Sequence, residues 1–66
     1  MSRELYEVWS VDEEGYEDLI DTTYSLKEAR SLAQQNLDQT DCVEVILFQE
    51  SNGELSEFER HKRLTA

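Results

Sequence analysis

The glycines of this chain constrain its fold most strongly. The chain has no proline and only two glycines, Gly15 and Gly53, and each lies between segments in which apolar and polar residues alternate. Such alternation is typical of half-buried strands. Asn52-Gly53 strongly favours a two-residue hairpin turn, because both turn positions need a positive φ that Asn and Gly tolerate. We therefore predict two β-hairpins, the second of which pairs residues 45–50 with residues 54–60.

The two faces of the second hairpin follow from the alternation of side chains along paired strands. In the register set by its turn, Leu47 lies opposite Phe58, and Phe48 lies on the other face with Glu57. The face that carries Leu47 is the more apolar one, so it is the predicted core face. It comprises Val43, Val45, Leu47 and Phe58.

The first hairpin is predicted to pair residues 5–11 with residues 16–24 across the loop 12–15. Loops of two or four residues give the same alternation, so the two faces do not depend on the type of turn. One face is predicted to join the core: Leu5, Trp9, Val11, Tyr16, Ile20 and Tyr24. The opposite face carries Tyr6, Val8 and Leu19.

A helix is predicted between the hairpins. Ser25-Leu26-Lys27-Glu28 has the form of a capping box, in which the Ser25 hydroxyl accepts from the Glu28 N–H and the Glu28 side chain reaches back to the Ser25 N–H. Apolar residues recur beyond it at helical spacing and form one stripe. That stripe comprises Leu26, Ala29, Leu32, Ala33 and Leu37.

The order of these elements predicts an α+β, ββαββ fold, with a small antiparallel sheet of four strands and one helix packed on one face. The run Ser56-Glu57-Phe58-Glu59 also fits a capping box, so a short helix is the alternative to a strand over residues 55–63. We expect a single domain over residues 1–66, with an ordered core at about 4–60 and a mobile basic tail at 61–66.

The composition indicates a soluble protein that repels nucleic acid. Sixteen Asp and Glu residues oppose six Lys and Arg, which gives a formal net charge of −10, and 38% of residues are hydrophobic. No apolar run approaches the roughly 20 residues of a membrane-spanning helix. The N-terminal residues lack the pattern of a secretory signal, and the single cysteine allows no internal disulfide. We therefore expect a cytoplasmic location, with no membrane and no direct nucleic-acid binding.

No combination of residues indicates catalysis. The single cysteine, Cys42, leads an apolar strand, and the single histidine, His61, lies in the basic segment at residues 60–63, so a catalytic dyad is not expected. Residues 12–18 are rich in carboxylates, but their spacing does not match an EF-hand loop and they lie on a hairpin tip. We predict a protein that is not an enzyme and that uses no cofactor and no metal.

The charges and the second sheet face suggest a partner. Asp and Glu dominate the first hairpin, and residues 31–59 contain no Lys or Arg. A single helix covers only one face of a sheet, so the other face is predicted to expose Tyr6, Val8, Leu19, Ile46, Phe48 and Leu55 among Asp21, Glu44, Glu50, Glu57 and Glu59. Exposed apolar patches with a polar rim mark interaction sites. The predicted partner-binding residues are Asp12, Glu13, Glu14, Glu17, Asp18, Asp21, Glu44, Glu50, Tyr6, Ile46 and Phe48.

This layout, an acidic domain with a helix such as Ser25-Leu-Lys-Glu-Ala-Arg-Ser-Leu-Ala33 across a small antiparallel sheet, resembles small inhibitors encoded by phages. They include some anti-CRISPR proteins and inhibitors of host RNA polymerase. The resemblance implies a protein that occupies a basic nucleic-acid-binding surface of a host protein, with carboxylates where phosphates would lie. A homodimeric interaction module is the alternative, and solubility or salt adaptation would also account for the acidity.

Overall fold

The computed structural model describes residues 4–63 and contains four strands and one helix in the predicted order. The elements are β1 (Leu5–Val11), β2 (Glu17–Thr23), α1 (Leu26–Gln39), β3 (Glu44–Ser51) and β4 (Glu54–Lys62). The strands form one antiparallel sheet in the order β2-β1-β3-β4, and α1 packs on one face of it. The predicted α+β, ββαββ fold is therefore confirmed. β1 and β3 are the central strands, and β2 and β4 are the edges.

The second hairpin turns at the predicted dipeptide. Asn52 has a φ of 55° and Gly53 a φ of 82°, the positive values that a two-residue turn of this kind requires. Residues 54–62 form a strand, which decides against the alternative of a short helix. This strand includes His61 and Lys62, which the sequence analysis assigned to a tail; residues 64–66 of that predicted tail lie outside the described residues.

Helix α1 begins at the predicted cap. The Ser25 hydroxyl accepts a hydrogen bond of 3.2 Å from the Glu28 N–H. The second half of the predicted capping box is replaced by another contact, because the Ser25 N–H donates to the Thr23 hydroxyl at 3.1 Å. At the other end of the helix, the Arg63 guanidinium donates to the carbonyl oxygens of Leu37 and Thr40. The last carbonyl oxygens of a helix have no hydrogen-bond donor within the helix, so Arg63, just beyond β4, supplies one.

The core lies between α1 and the sheet. Its strand residues come from alternate positions of the two central strands, Tyr6 and Val8 of β1 and Val45 and Leu47 of β3. The helix contributes its predicted apolar stripe. The buried cluster comprises Tyr6, Val8, Ala29, Ala33, Leu37, Cys42, Val45 and Leu47, with Ile20, Leu26 and Leu32 packed against it.

The predicted faces of the first hairpin are wrong. Tyr6 and Val8 face the helix, whereas Trp9 pairs with Ile46 and Leu19 on the opposite side of the sheet. β1 carries large apolar residues on both of its faces, so the alternation within that strand did not show which face lies under the helix. Five residues predicted in the core therefore lie outside it: Leu5, Trp9 and Val11 are on the side away from the helix, and Tyr16 and Tyr24 are exposed.

Each edge strand contains one extra residue. Val8 pairs with Asp21 and the next residue of β1 pairs with Leu19, which leaves Ile20 as the bulged residue of β2. In β4 the register shift leaves Phe58 between the paired positions Glu57 and Glu59. Such a bulge interrupts the alternation of side chains. This explains why Ile20 packs against the core as predicted although its hairpin was assigned to the wrong faces.

The second hairpin is as predicted at Val45, Leu47 and Phe48, but Val43 and Phe58, predicted on the core face, lie outside the buried core. Val45 and Leu47 are buried under the helix, and Phe48 lies opposite Glu57 on the other face. The bulge changes the rest of the register. Leu47 pairs with Glu59 rather than Phe58, so Glu59, predicted on the outer side, lies on the helix side. Phe58 contacts Tyr6 edge to face, with ring centroids 5.7 Å apart.

Candidate protein-binding surfaces

The acidic hairpin, defined as the carboxylate residues of β2 and of the turn before it, is the first candidate surface. Its members are Asp12, Glu13, Glu14, Glu17, Asp18 and Asp21. The Asp12 carboxylate organises the turn, because its Oδ1 accepts from the backbone N–H groups of Glu14 and Tyr16, both at 2.9 Å. Gly15 completes the turn with a φ of 91°. The remaining members of the acidic hairpin are exposed to solvent.

The acidic hairpin is not neutralised by the bases that the structure describes. Within residues 4–63, every ion pair involves a carboxylate of β3 or β4. Arg30 of the helix pairs with Glu59, and Arg60 pairs with Glu44 at 2.5 Å and with Glu57 at 2.7 Å. None of these ion pairs involves a carboxylate of the acidic hairpin, so its negative charges are not paired by them.

A groove adjoins the turn of the acidic hairpin. It is lined by Asp12, Glu13, Glu14 and Asp41, and its volume is about 470 Å³. Asp41 comes from the connection between α1 and β3, so the fold adds a seventh carboxylate to the end of this surface. Within residues 4–63, no group of three or more His, Cys, Asp or Glu side chains is arranged to hold a metal ion. The groove has room for the side chain of an arginine or lysine from another protein.

The outer face, defined as the side of the sheet away from α1, is the second candidate surface. Its apolar residues, assigned from the strand register, are Leu5, Trp9, Val11, Leu19, Ile46, Phe48 and Leu55. The rings of Trp9 and Phe48 contact each other edge to face at 6.4 Å, and the Trp9 indole N–H donates to Glu7 at 2.9 Å. Ile46 lies beside them and is only 3% exposed. The outer face therefore has a small apolar cluster of its own.

The structure separates the predicted partner-binding residues. Ile46, Phe48, Glu44 and Glu50 lie on the outer face, as predicted, but Asp21, also predicted there, pairs with Val8 and so lies on the helix side. Tyr6 is not on the outer face either: it is buried beneath the helix, where its hydroxyl donates to Glu4 at 3.1 Å. Burial, together with this hydrogen bond, raises the pKa of Tyr6. The prediction that Tyr6 anchors a partner is therefore wrong.

Charged residues of the outer face include bases that the sequence analysis did not assign to it. Arg60 lies opposite Ile46, and Lys62 lies opposite Glu44. Because Arg60 and Lys62 both approach Glu44, that carboxylate is already partly neutralised within the chain. Trp9 is the other residue that sequence reasoning missed here. Its alignment with Ile46 depends on the pairing of β1 with β3, which no local pattern indicates.

A network of charged side chains joins the helix to β4. The Arg30 guanidinium donates to both oxygens of Glu59, and His61 contacts the same carboxylate at 2.9 Å. The Arg30 hydrogen bonds hold the pKa of Glu59 at about 2, well below its ordinary value. The thiol of Cys42 is buried and directed to the carbonyl of Asn36 at 3.5 Å. Cys42 and His61 therefore have separate partners.

No protein-family model, curated protein or solved structure matches the chain. Within residues 4–63, no helix has both the length and the apolar character needed to cross a membrane.

Proposed function

We propose that this chain is a non-enzymatic acidic binding protein that docks through the acidic hairpin on a basic nucleic-acid-binding surface of another protein. The observation that carries the proposal is the segregation of charge. Arg30, Arg60 and Lys62 pair with carboxylates of β3 and β4, while no ion pair among residues 4–63 involves the acidic hairpin. A surface neutralised within its own chain would have little attraction for a basic partner.

The density of charge supports mimicry of a nucleic acid. A strand rises about 3.4 Å per residue, so Glu17 to Asp21 span about 14 Å, and the turn adds a few ångströms. Six carboxylates over that length give roughly one negative charge per 3 Å, close to the one per 3.4 Å of a single nucleic-acid strand. A basic groove of a partner that binds the phosphates of a nucleic acid would therefore find a similar number of negative charges per unit length along β2.

The first experiment measures how charge on the acidic hairpin affects binding. The chain is immobilised, a bacterial lysate is passed over it, and a retained protein is identified by mass spectrometry and purified. Its affinity should fall by at least about tenfold between about 50 and 200 mM salt, as expected of a contact that replaces counterions. A partner whose affinity does not change over this range would contradict the proposal.

A pair of triple variants separates position from net charge. The substitutions Glu13→Gln, Glu17→Gln and Asp21→Asn remove three charges from the acidic hairpin. The control, with Glu28→Gln and Glu54→Gln plus Asp38→Asn, removes three charges elsewhere. The acidic-hairpin variant should bind more weakly, chiefly through a slower association rate, and the control should bind like the wild type. If both variants bound equally weakly, binding would depend on the net charge of the chain and not on the position of the acidic hairpin, which would contradict the proposal.

A further inference from the structure

The apolar cluster of the outer face is only partly covered within the chain, and α1 packs on the other face. Ile46 is almost fully buried, yet it is not part of the core cluster under the helix. Leu19 of β2, beside Trp9, and Leu55 of β4, opposite Glu50, are 49% and 48% exposed. Trp9 and Phe48 lie on the two central strands and are half-buried. The outer face therefore exposes apolar surface on both edge strands, on either side of a more buried centre.

The edges of the sheet are poor places for another strand to add. Unpaired strand edges recruit further strands, but bulges and charged side chains prevent such pairing. Both edges have these features, with the bulge at Ile20 in β2 and the bulge at Phe58 in β4. Association through the sheet would therefore use its outer face and not its edges.

Two opposite charges at the two edges of the outer face suit a second copy of the chain. Lys62 and Glu17 lie at the same end of the sheet but on opposite edges, Lys62 near the end of β4 beside Arg60 and Glu17 at the start of β2. These strands are three positions apart in the sheet, which is about 14 Å, so Lys62 cannot pair with Glu17 of its own chain. Lys62 is mostly exposed, 3.9 Å from Glu44, and Glu17 is exposed, so two copies that meet through this face can bring these opposite charges together.

We propose that two copies of the chain pack outer face to outer face about a twofold axis that runs along the strands, between β1 and β3. This axis reverses the strand order from one copy to the other, so β4 of each copy lies over β2 of the other. Lys62 of one copy then approaches Glu17 of the other, twice in each dimer, while Trp9, Ile46 and Phe48 pack near the axis. Such an isologous interface is the common form of a homodimer.

The size of the sheet predicts a weak dimer. Four strands about 4.8 Å apart and about 24 Å long present roughly 450 Å² on each copy, or about 900 Å² in total. That area lies at the low end for specific interfaces, so we expect dissociation constants in the micromolar range.

The acidic hairpin stays largely free in this dimer, because only Glu17 belongs to both surfaces. The inference therefore does not depend on the proposed function.

The first test is sedimentation equilibrium of the chain from about 1 µM to 1 mM, a range that includes micromolar dissociation constants. The wild type should pass from monomer to dimer, and a monomer throughout would overturn the proposal. Leu19→Gln, on the outer face, should weaken the dimer by about fivefold or more, because the half-exposed leucine would lose its burial. Tyr16→Gln, which changes a more exposed side chain away from the outer face, is the control and should leave the dimer unchanged.

The second test determines whether the twofold axis of the dimer lies where we propose. Lys62→Glu and Glu17→Lys should each weaken the dimer, and the double variant should restore it, because the contact occurs between copies and its charges are only exchanged. Glu13→Lys is the control for net charge, since it adds the same charge as Glu17→Lys at the tip of the turn. A dimer in which the double variant is no tighter than the single variants would contradict the proposed arrangement.

Discussion

Replacing Leu47 by Ala tests how α1 packs on the sheet. Leu47 is fully buried in a central strand, where it pairs with Val8, itself fully buried. Truncating a buried leucine costs about 2–5 kcal/mol, from the lost transfer energy and the cavity that remains. A domain of this size has a free energy of unfolding of about 3–10 kcal/mol. The substitution should therefore remove between about a fifth and all of the stability.

Urea unfolding measures this effect, followed by far-UV circular dichroism at a protein concentration low enough to keep the chain monomeric. With an m-value of about 1 kcal/mol/M for so small a domain, Leu47→Ala should lower the midpoint by about 2–5 M. If that variant does not fold, Val45→Ala removes less buried surface and should lower the free energy of unfolding by about 2 kcal/mol.

The matched control is Leu19→Ala, the same substitution at a half-exposed position on the outer face. It should cost less than about 1 kcal/mol, because the side chain retains little of the burial that a core leucine has. A cost for Leu19→Ala equal to that for Leu47→Ala would refute the assignment of the two faces.

Further predictions concern individual contacts. Because the pKa of Glu59 is lower in the folded chain than in the unfolded one, its contribution to stability is present above pH 4.5 and is lost as the pH falls toward 2. In urea titrations from pH 7 to 2, Glu59→Gln should flatten the wild-type loss of stability in that range. Arg63→Ala should cost about 1–2 kcal/mol and speed amide exchange in the last turn of α1, whereas Lys62→Ala should do neither. Gly53→Ala should cost about 1 kcal/mol in thermal unfolding, because its φ of 82° disfavours a side chain.

Local patterns were sufficient to predict the elements and their order. The positive φ of Asn52 and Gly53 and the cap at Ser25 depend only on neighbouring residues, so turn and helix signals indicated them directly. The faces of β1 were harder, since Trp9 and Val8 are both large and apolar, and only pairing with β3 decides which one lies under α1.

The candidate surfaces were predicted only in part, for the same reason. The acidic hairpin is contiguous in sequence, so its carboxylates could be assigned without knowledge of the fold. The outer face combines four strands, and the bulge at Phe58 moves Glu59 to the helix side, where Arg30 pairs with it. Bulges leave no clear local signal, which is why the assignment of Glu59 to the outer face was wrong.

Competition with nucleic acid tests the central claim most directly. The captured partner is bound to the fluorescently labelled chain, and single-stranded DNA and RNA are titrated into the complex at constant ionic strength. If the acidic hairpin occupies a nucleic-acid-binding surface, one of the two should displace the chain completely, and excess chain should in turn displace the nucleic acid. A ternary complex at saturating nucleic acid, with the chain still bound, would contradict the account.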